Sequence, residues 1–78
     1  MHDATLSFAY DSAERARLVE RSVRPEVGEI EGDRTVATLS RDGRTVEVAV
    51  EATDLVALRA GCNTWLSLVT VAERLAGC

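Results

Sequence analysis

The sequence has no lysine, one histidine, one proline and only three aromatic residues, Phe8, Tyr10 and Trp65. His2 is the sole imidazole, at an N-terminus expected to be mobile, so no Ser-His or Cys-His nucleophile pair and no histidine-rich metal site can be assembled. No Gly-x-Gly-x-x-Gly or phosphate-loop pattern occurs. The glycines are accounted for by a loop, a hairpin turn, a helix contact and a helix end. Catalysis, nucleotide binding, metals and cofactors are therefore not expected. The shortage of aromatics leaves aliphatic side chains to fill the core.

Long uninterrupted apolar runs are also missing. The longest, Cys62 to Ala72, is broken by Asn63, Thr64, Ser67 and Thr70 and falls short of the roughly 20 residues a membrane span needs, so no membrane association is expected. Met1-His2-Asp3 leads straight into a strand-like run with nothing resembling a signal peptide, and a cytoplasmic location is the expectation. The two cysteines, Cys62 and Cys78, would stand about 24 Å apart along one continuous helix and cannot bridge within it. A buried thiol and a tolerated terminal thiol are the plain readings.

All nine basic residues are arginine, against thirteen acidic ones, for a net charge of -4. A GC-rich genome favours arginine codons, and an acidic, lysine-poor surface suits concentrated salt; the composition fits both. Such a chain is a poor stand-alone nucleic-acid binder, because phosphate neutralisation supplies most non-specific affinity. Any RNA contact should be shared with a partner.

What is present is a folded domain. Hydrophobic residues make up 46% of the chain in periodic runs, and 78 residues make one domain, 1–78. A chain this short buries only about 60% of its unfolded surface, so burial against a partner would help it.

Ala4 to Tyr10 alternates, with Leu6, Phe8 and Tyr10 on one side, as in a half-buried strand. Asp11 and Glu14 have the spacing of a capping box and open a helix carrying Ala16, Val19 and Val23, which Pro25 ends near Arg24. Pro25 to Asp33 is a loop, its acids Glu29, Glu31 and Asp33 solvated. Thr35–Ser40 and Thr45–Ala52 flank Arg41-Asp42-Gly43-Arg44, a hairpin expected to turn on Asp42-Gly43 with Arg41 facing Arg44 and Leu39 facing Val46. Thr35, Ala37 and Leu39 then share the core side with Val46, Val48 and Val50. The opposite side, with Val36, Thr38, Ser40, Glu47 and Ala49, could meet water or a second sheet.

The last helix, Asp54 to about Ala76, starts behind Thr53 as N-cap. Helical periodicity puts Leu55, Leu58, Cys62, Trp65, Leu66, Val69, Ala72 and Ala76 toward the sheet. A second apolar face follows, made of Ala57, Ala60, Gly61, Thr64, Leu68, Val71 and Leu75, beside a polar strip of Arg59, Asn63, Ser67, Thr70 and Arg74. One small sheet cannot bury both faces. The first helix could cover part of the second; a partner is the reading favoured by so small a chain, with Gly61 marking close packing and Arg59 and Asn63 offering hydrogen bonds for register. Arg17, Arg21 and Arg24 line one side of the first helix. They form either a stripe for an RNA backbone or, with Glu14 and Glu20 at helical spacing, a salt-bridged solvated face.

The element order, together with Asp54, Leu58, Arg59, Ala60, Asn63 and Thr64 in the last helix, resembles the small dimerisation subunit of the KEOPS complex. Phe8, Ala16, Ser22, Pro25 and Glu26 match the first half of that family's pattern, so the similarity covers most of the chain. The resemblance implies a non-catalytic homodimer whose helices bundle with the KEOPS catalytic subunit, bridging two copies for threonylcarbamoyladenosine synthesis on tRNA, with tRNA met indirectly or through a shared surface. The missing lysines depart from the family and fit a halophilic archaeon.

The expected fold is thus α+β, in the order β-α-β-β-α, with a three-stranded antiparallel sheet and two helices packed on one face. Expected partner-binding residues are Arg59, Gly61, Asn63, Thr64, Leu68, Val71 and Leu75. A free-standing RNA-binding or regulatory domain is the alternative, and a basic face would be its mark.

Overall fold

The computed structural model describes residues 1–28 and 34–77. The acidic loop residues Glu29, Glu31 and Asp33, and the terminal Cys78, lie outside the described residues. Three strands and two helices follow in the expected order: β1 His2–Ala9, α1 Ala13–Val23, β2 Thr35–Asp42, β3 Thr45–Ala52 and α2 Leu55–Leu75. A single 3₁₀ turn, Arg24–Glu26, follows α1, with Pro25 tolerated there because its missing N–H is not needed at a helix start. The sheet is antiparallel with order β1-β3-β2.

β3 takes the centre because it is the strand with most to hide. Val46, Val48, Val50 and Ala52 are all buried, alternating with the outward Glu47 and Glu51. β1 and β2 flank it in unbroken register, Leu6 opposite Val48 on one side and Leu39 opposite Val48 on the other. β1 begins at His2 rather than Ala4, since His2 and Asp3 pair with Ala52 and Glu51. The histidine expected in a mobile terminus is therefore part of a strand.

The hairpin turns one residue later than its Asp-Gly signal suggested. Asp42 pairs with Thr45, leaving Gly43 and Arg44 at the corner, and only Gly43 has positive φ, 61°. An Asp-Gly corner asks positive φ of both central residues, whereas Gly at the first central position suits a two-residue turn in which the second needs none. Arg41 therefore faces Val46, and Leu39 faces Val48 instead of Val46. The pairing moves by two residues, an even number, so each side chain stays on the expected side of the sheet.

Both helices pack on the inner face. Among the described residues the largest fully buried side chains are Trp65 and six valines, Val19, Val23, Val46, Val48, Val50 and Val69. Fully burying one such side chain is worth roughly 1.5–3 kcal/mol, so this cluster carries most of the hydrophobic stabilisation. Leu6, Phe8, Tyr10 and Leu39 pack around it, half-buried.

Charged and polar contacts close the rim of this core. Glu20 of α1 accepts a hydrogen bond from Nε of Arg41 on β2 at 3.2 Å and is also paired with Arg24 one turn along its own helix. Partial burial works to raise the Glu20 pKa. Hydrogen bonds and charge from the two arginines outweigh it and hold the carboxyl below its ordinary value. At the other end, the Tyr10 hydroxyl donates to Glu73 of α2 at 2.9 Å, and Arg15 of α1 donates to the Gly77 carbonyl, so the start of α1 lies beside the end of α2.

Candidate partner-binding surface

The helix caps differ from the expected ones by one residue each. Ser12, not Asp11, caps α1: its backbone is extended and its hydroxyl accepts from the Arg15 N–H at 3.1 Å. Asp11 instead pairs with Arg15 on the surface. Asp54, not Thr53, caps α2, its carboxylate accepting from the Ala57 N–H at 2.8 Å.

Asp54 also accepts from Arg34, just before β2, so one carboxylate fixes the start of α2 to the sheet. The Arg34 hydrogen bond first, then the Ala57 N–H, hold the Asp54 pKa below its ordinary value.

From this anchor α2 runs 21 residues across the sheet, burying Ala57, Trp65, Val69 and Ala72. Its length, and a mean hydropathy of 1.3 over an 18-residue stretch of it, would suffice to cross a membrane, as is also true of core helices in water-soluble domains. The interrupted run Cys62–Ala72 understated this length.

The helix is rotated from its expected phase by less than one residue's step of about 100°. Ala57, placed outward by the sequence, is buried, and Leu55 and Leu66, placed inward, are 64% and 42% exposed. Gly61 and Leu68 also turn toward the chain itself. A Cβ on Gly61 would stand 3.3 Å from Val50 Cγ1 and 3.7 Å from Thr35 Cγ2, and Leu68 packs half-buried on the core cluster. The small residues thus mark close packing, but against this chain's own sheet. β3 offers a surface of β-branched valines there, and only small residues let a helix axis come that near.

What remains outward on α2 is a polar ridge with apolar borders. Arg59, Asn63, Ser67, Thr70 and Arg74 are exposed along the ridge. Leu55 and Leu66 border it on one side and Ala60, Val71 and Leu75 on the other, while Val56 stands in line with the ridge at its N-terminal end; Val56 is 74%, Val71 52% and Leu75 79% exposed. Of the seven expected partner-binding residues, Arg59, Asn63, Thr64, Val71 and Leu75 share this outward half. Val56, assigned to neither face from the sequence, belongs here as well; its spacing of three and seven residues from Arg59 and Asn63 aligns it with the polar strip and was the signal for its exposure.

The ridge is less polar than its composition. Thr64 donates to the Ala60 carbonyl at 3.0 Å, Ser67 to Asn63 at 3.1 Å and Thr70 to Leu66 at 2.8 Å, each one turn back. That leaves Arg59, Asn63 and Arg74 as the ridge side chains with donors to direct outward, while the hydroxyl oxygens can still accept.

On α1, Arg24 is held by Glu20, whereas the exposed Arg17 and Arg21 have no ion-pair partner among the described residues. The expected salt-bridged face is therefore limited to Arg24, together with the Asp11–Arg15 pair at the helix start.

The outer face of the sheet, left open between water and a second sheet, carries no further layer among the described residues. Val36 is 59% exposed there. Asp3 stands directly opposite Glu51 at one end of this face; Glu47 lies farther along β3, accepting a hydrogen bond from Ser7 at 3.0 Å, and Asp42 is at the far, hairpin end, and the strand positions of this face hold no arginine or aromatic residue. Among the described residues no group of three or more His, Cys, Asp or Glu is placed to hold a metal ion, and Cys62 is a half-buried thiol.

A three-stranded sheet under two helices, with the outward half of its long helix bordered by bare aliphatic side chains, defines a small α+β packing module. A family profile described as Pcc1, transcription factor Pcc1, matches residues 3–76. The chain belongs to the Pcc1 family, whose members are KEOPS subunits, as the helix-two motif implied. Among solved structures it is similar to a chain of the crystal structure of the binary complex Gon7-Pcc1, with TM-score 0.83, 14% identity, 95% of this chain covered and 90% of that one. At that identity the likeness concerns the fold. No curated protein matches the chain.

Proposed function

We propose that this chain is a non-catalytic scaffold that homodimerises and bridges two copies of the KEOPS catalytic subunit, for threonylcarbamoyladenosine modification of tRNA in the cytoplasm. The observation that carries the reading is the outward half of α2, where Leu55, Val56, Val71 and Leu75 are each more than half exposed on one helix of a 78-residue chain. Aliphatic surface of this kind gains most from being covered by a partner helix. Arg59 and Asn63 lie between the apolar borders and would set the register of that partner through hydrogen bonds.

Direct contact with tRNA, where it occurs, belongs to Arg17 and Arg21, which have no ion-pair partner among the described residues, rather than to Arg24. The sheet face does not serve it: single-stranded RNA is gripped by aromatic platforms and basic grooves, and this face presents carboxylates instead. That weakens the alternative of a free-standing RNA-binding domain. The Gon7-Pcc1 complex adds support for a protein partner, since the similar fold there occurs in a two-protein assembly.

Light scattering coupled to size-exclusion chromatography in high salt, on the chain alone and co-expressed with the catalytic subunit of its host, tests the proposal. A dimer that captures the subunit is the expected result. A monomer that ignores it would overturn the scaffold reading.

A further inference from the structure

We draw no further inference here: the strongest candidate, the open outer face of the sheet where Asp3 stands opposite Glu51 at the end next to the exposed Val36, is a surface patch for which nothing in the structure shows what covers it.

Discussion

Replacing Val71 and Leu75 together by glutamate separates assembly from folding. Both side chains are largely in water already, Val71 52% and Leu75 79% exposed, so the free chain loses little; surface changes of this sort shift stability by about 0.5 kcal/mol each or less. In a complex the two would be covered. The leucine has most of its roughly 1.5–3 kcal/mol of burial still to gain and the valine about half, together on the order of 2–3 kcal/mol. Glutamate forfeits that and adds the cost of desolvating an unpaired carboxylate. At 1.4 kcal/mol per tenfold, the lost apolar contact alone weakens the partner by roughly 30-fold to 150-fold, and the carboxylates push it further. Titration calorimetry against the catalytic subunit reads the affinity, and urea unfolding followed by Trp65 fluorescence reads the fold. Leu68→Glu is the control: Leu68 packs on the core, so this change should unfold the chain or lower its urea midpoint sharply. If the double variant binds as tightly as the parent, the outward half of α2 is not the contact and the reasoning fails.

Gly61→Ala sets about 1 kcal/mol of helix propensity against a Cβ 3.3 Å from Val50 Cγ1, so its unfolding free energy from urea melts should stay within about 1 kcal/mol of the parent's. Gly61→Val should destabilise by about 1–3 kcal/mol through overpacking, and a neutral Gly61→Val would show that the helix does not press on β3. Acid should weaken the fold: the carboxyls of Glu20 and Asp54 have folded pKa values below their ordinary 4.5 and 3.8, so the unfolded chain binds more protons in this range. Their contribution is full above the ordinary values and is lost as pH falls through the lower folded ones. Thermal melts of the Glu20→Gln and Asp54→Asn double variant should show a flatter slope in this window, and an unaltered slope would assign acid lability elsewhere. Glu51→Arg replaces a like-charge cross-strand pair with Asp3 by an attractive one and should stabilise by roughly 0.2–1 kcal/mol in dilute buffer, with the gain shrinking as salt is added. A gain that does not change between low and molar salt would rule out charge as its cause.

Strand alternation and helix spacing carried most of the fold because each depends on a short-range period. Val46, Val48 and Val50 alternate too regularly to be misread, and the misplaced hairpin corner did no harm to the faces. The caps shifted by one residue because Asp11-Ser12 and Thr53-Asp54 each offer two competent side chains side by side. The phase of α2 was less legible for a different reason. Aliphatic residues occur nearly all round the helix, so its period has no sharp apolar stripe, and Ala57 and Gly61 announce a close neighbour without saying whether it is the chain's own sheet. Only the position of Val50 against Gly61 decides that. Arg17 and Arg21 were equally ambiguous, since helical spacing made both Glu14 and Glu20 available as partners; in the fold Glu20 turns inward to Arg41 and Arg24.

The three hydroxyls of Thr64, Ser67 and Thr70 bend back onto the helix's own carbonyls. A serine or threonine that already has an acceptor can lose its water without leaving a stranded donor. These three side chains are therefore amphibious: comfortable in solvent, and dry at little cost where a partner helix would cover them, so that only Arg59, Asn63 and Arg74 would need partners of their own. A subunit built this way can wait in solution for its partner without needing an apolar stripe so broad that it would aggregate first.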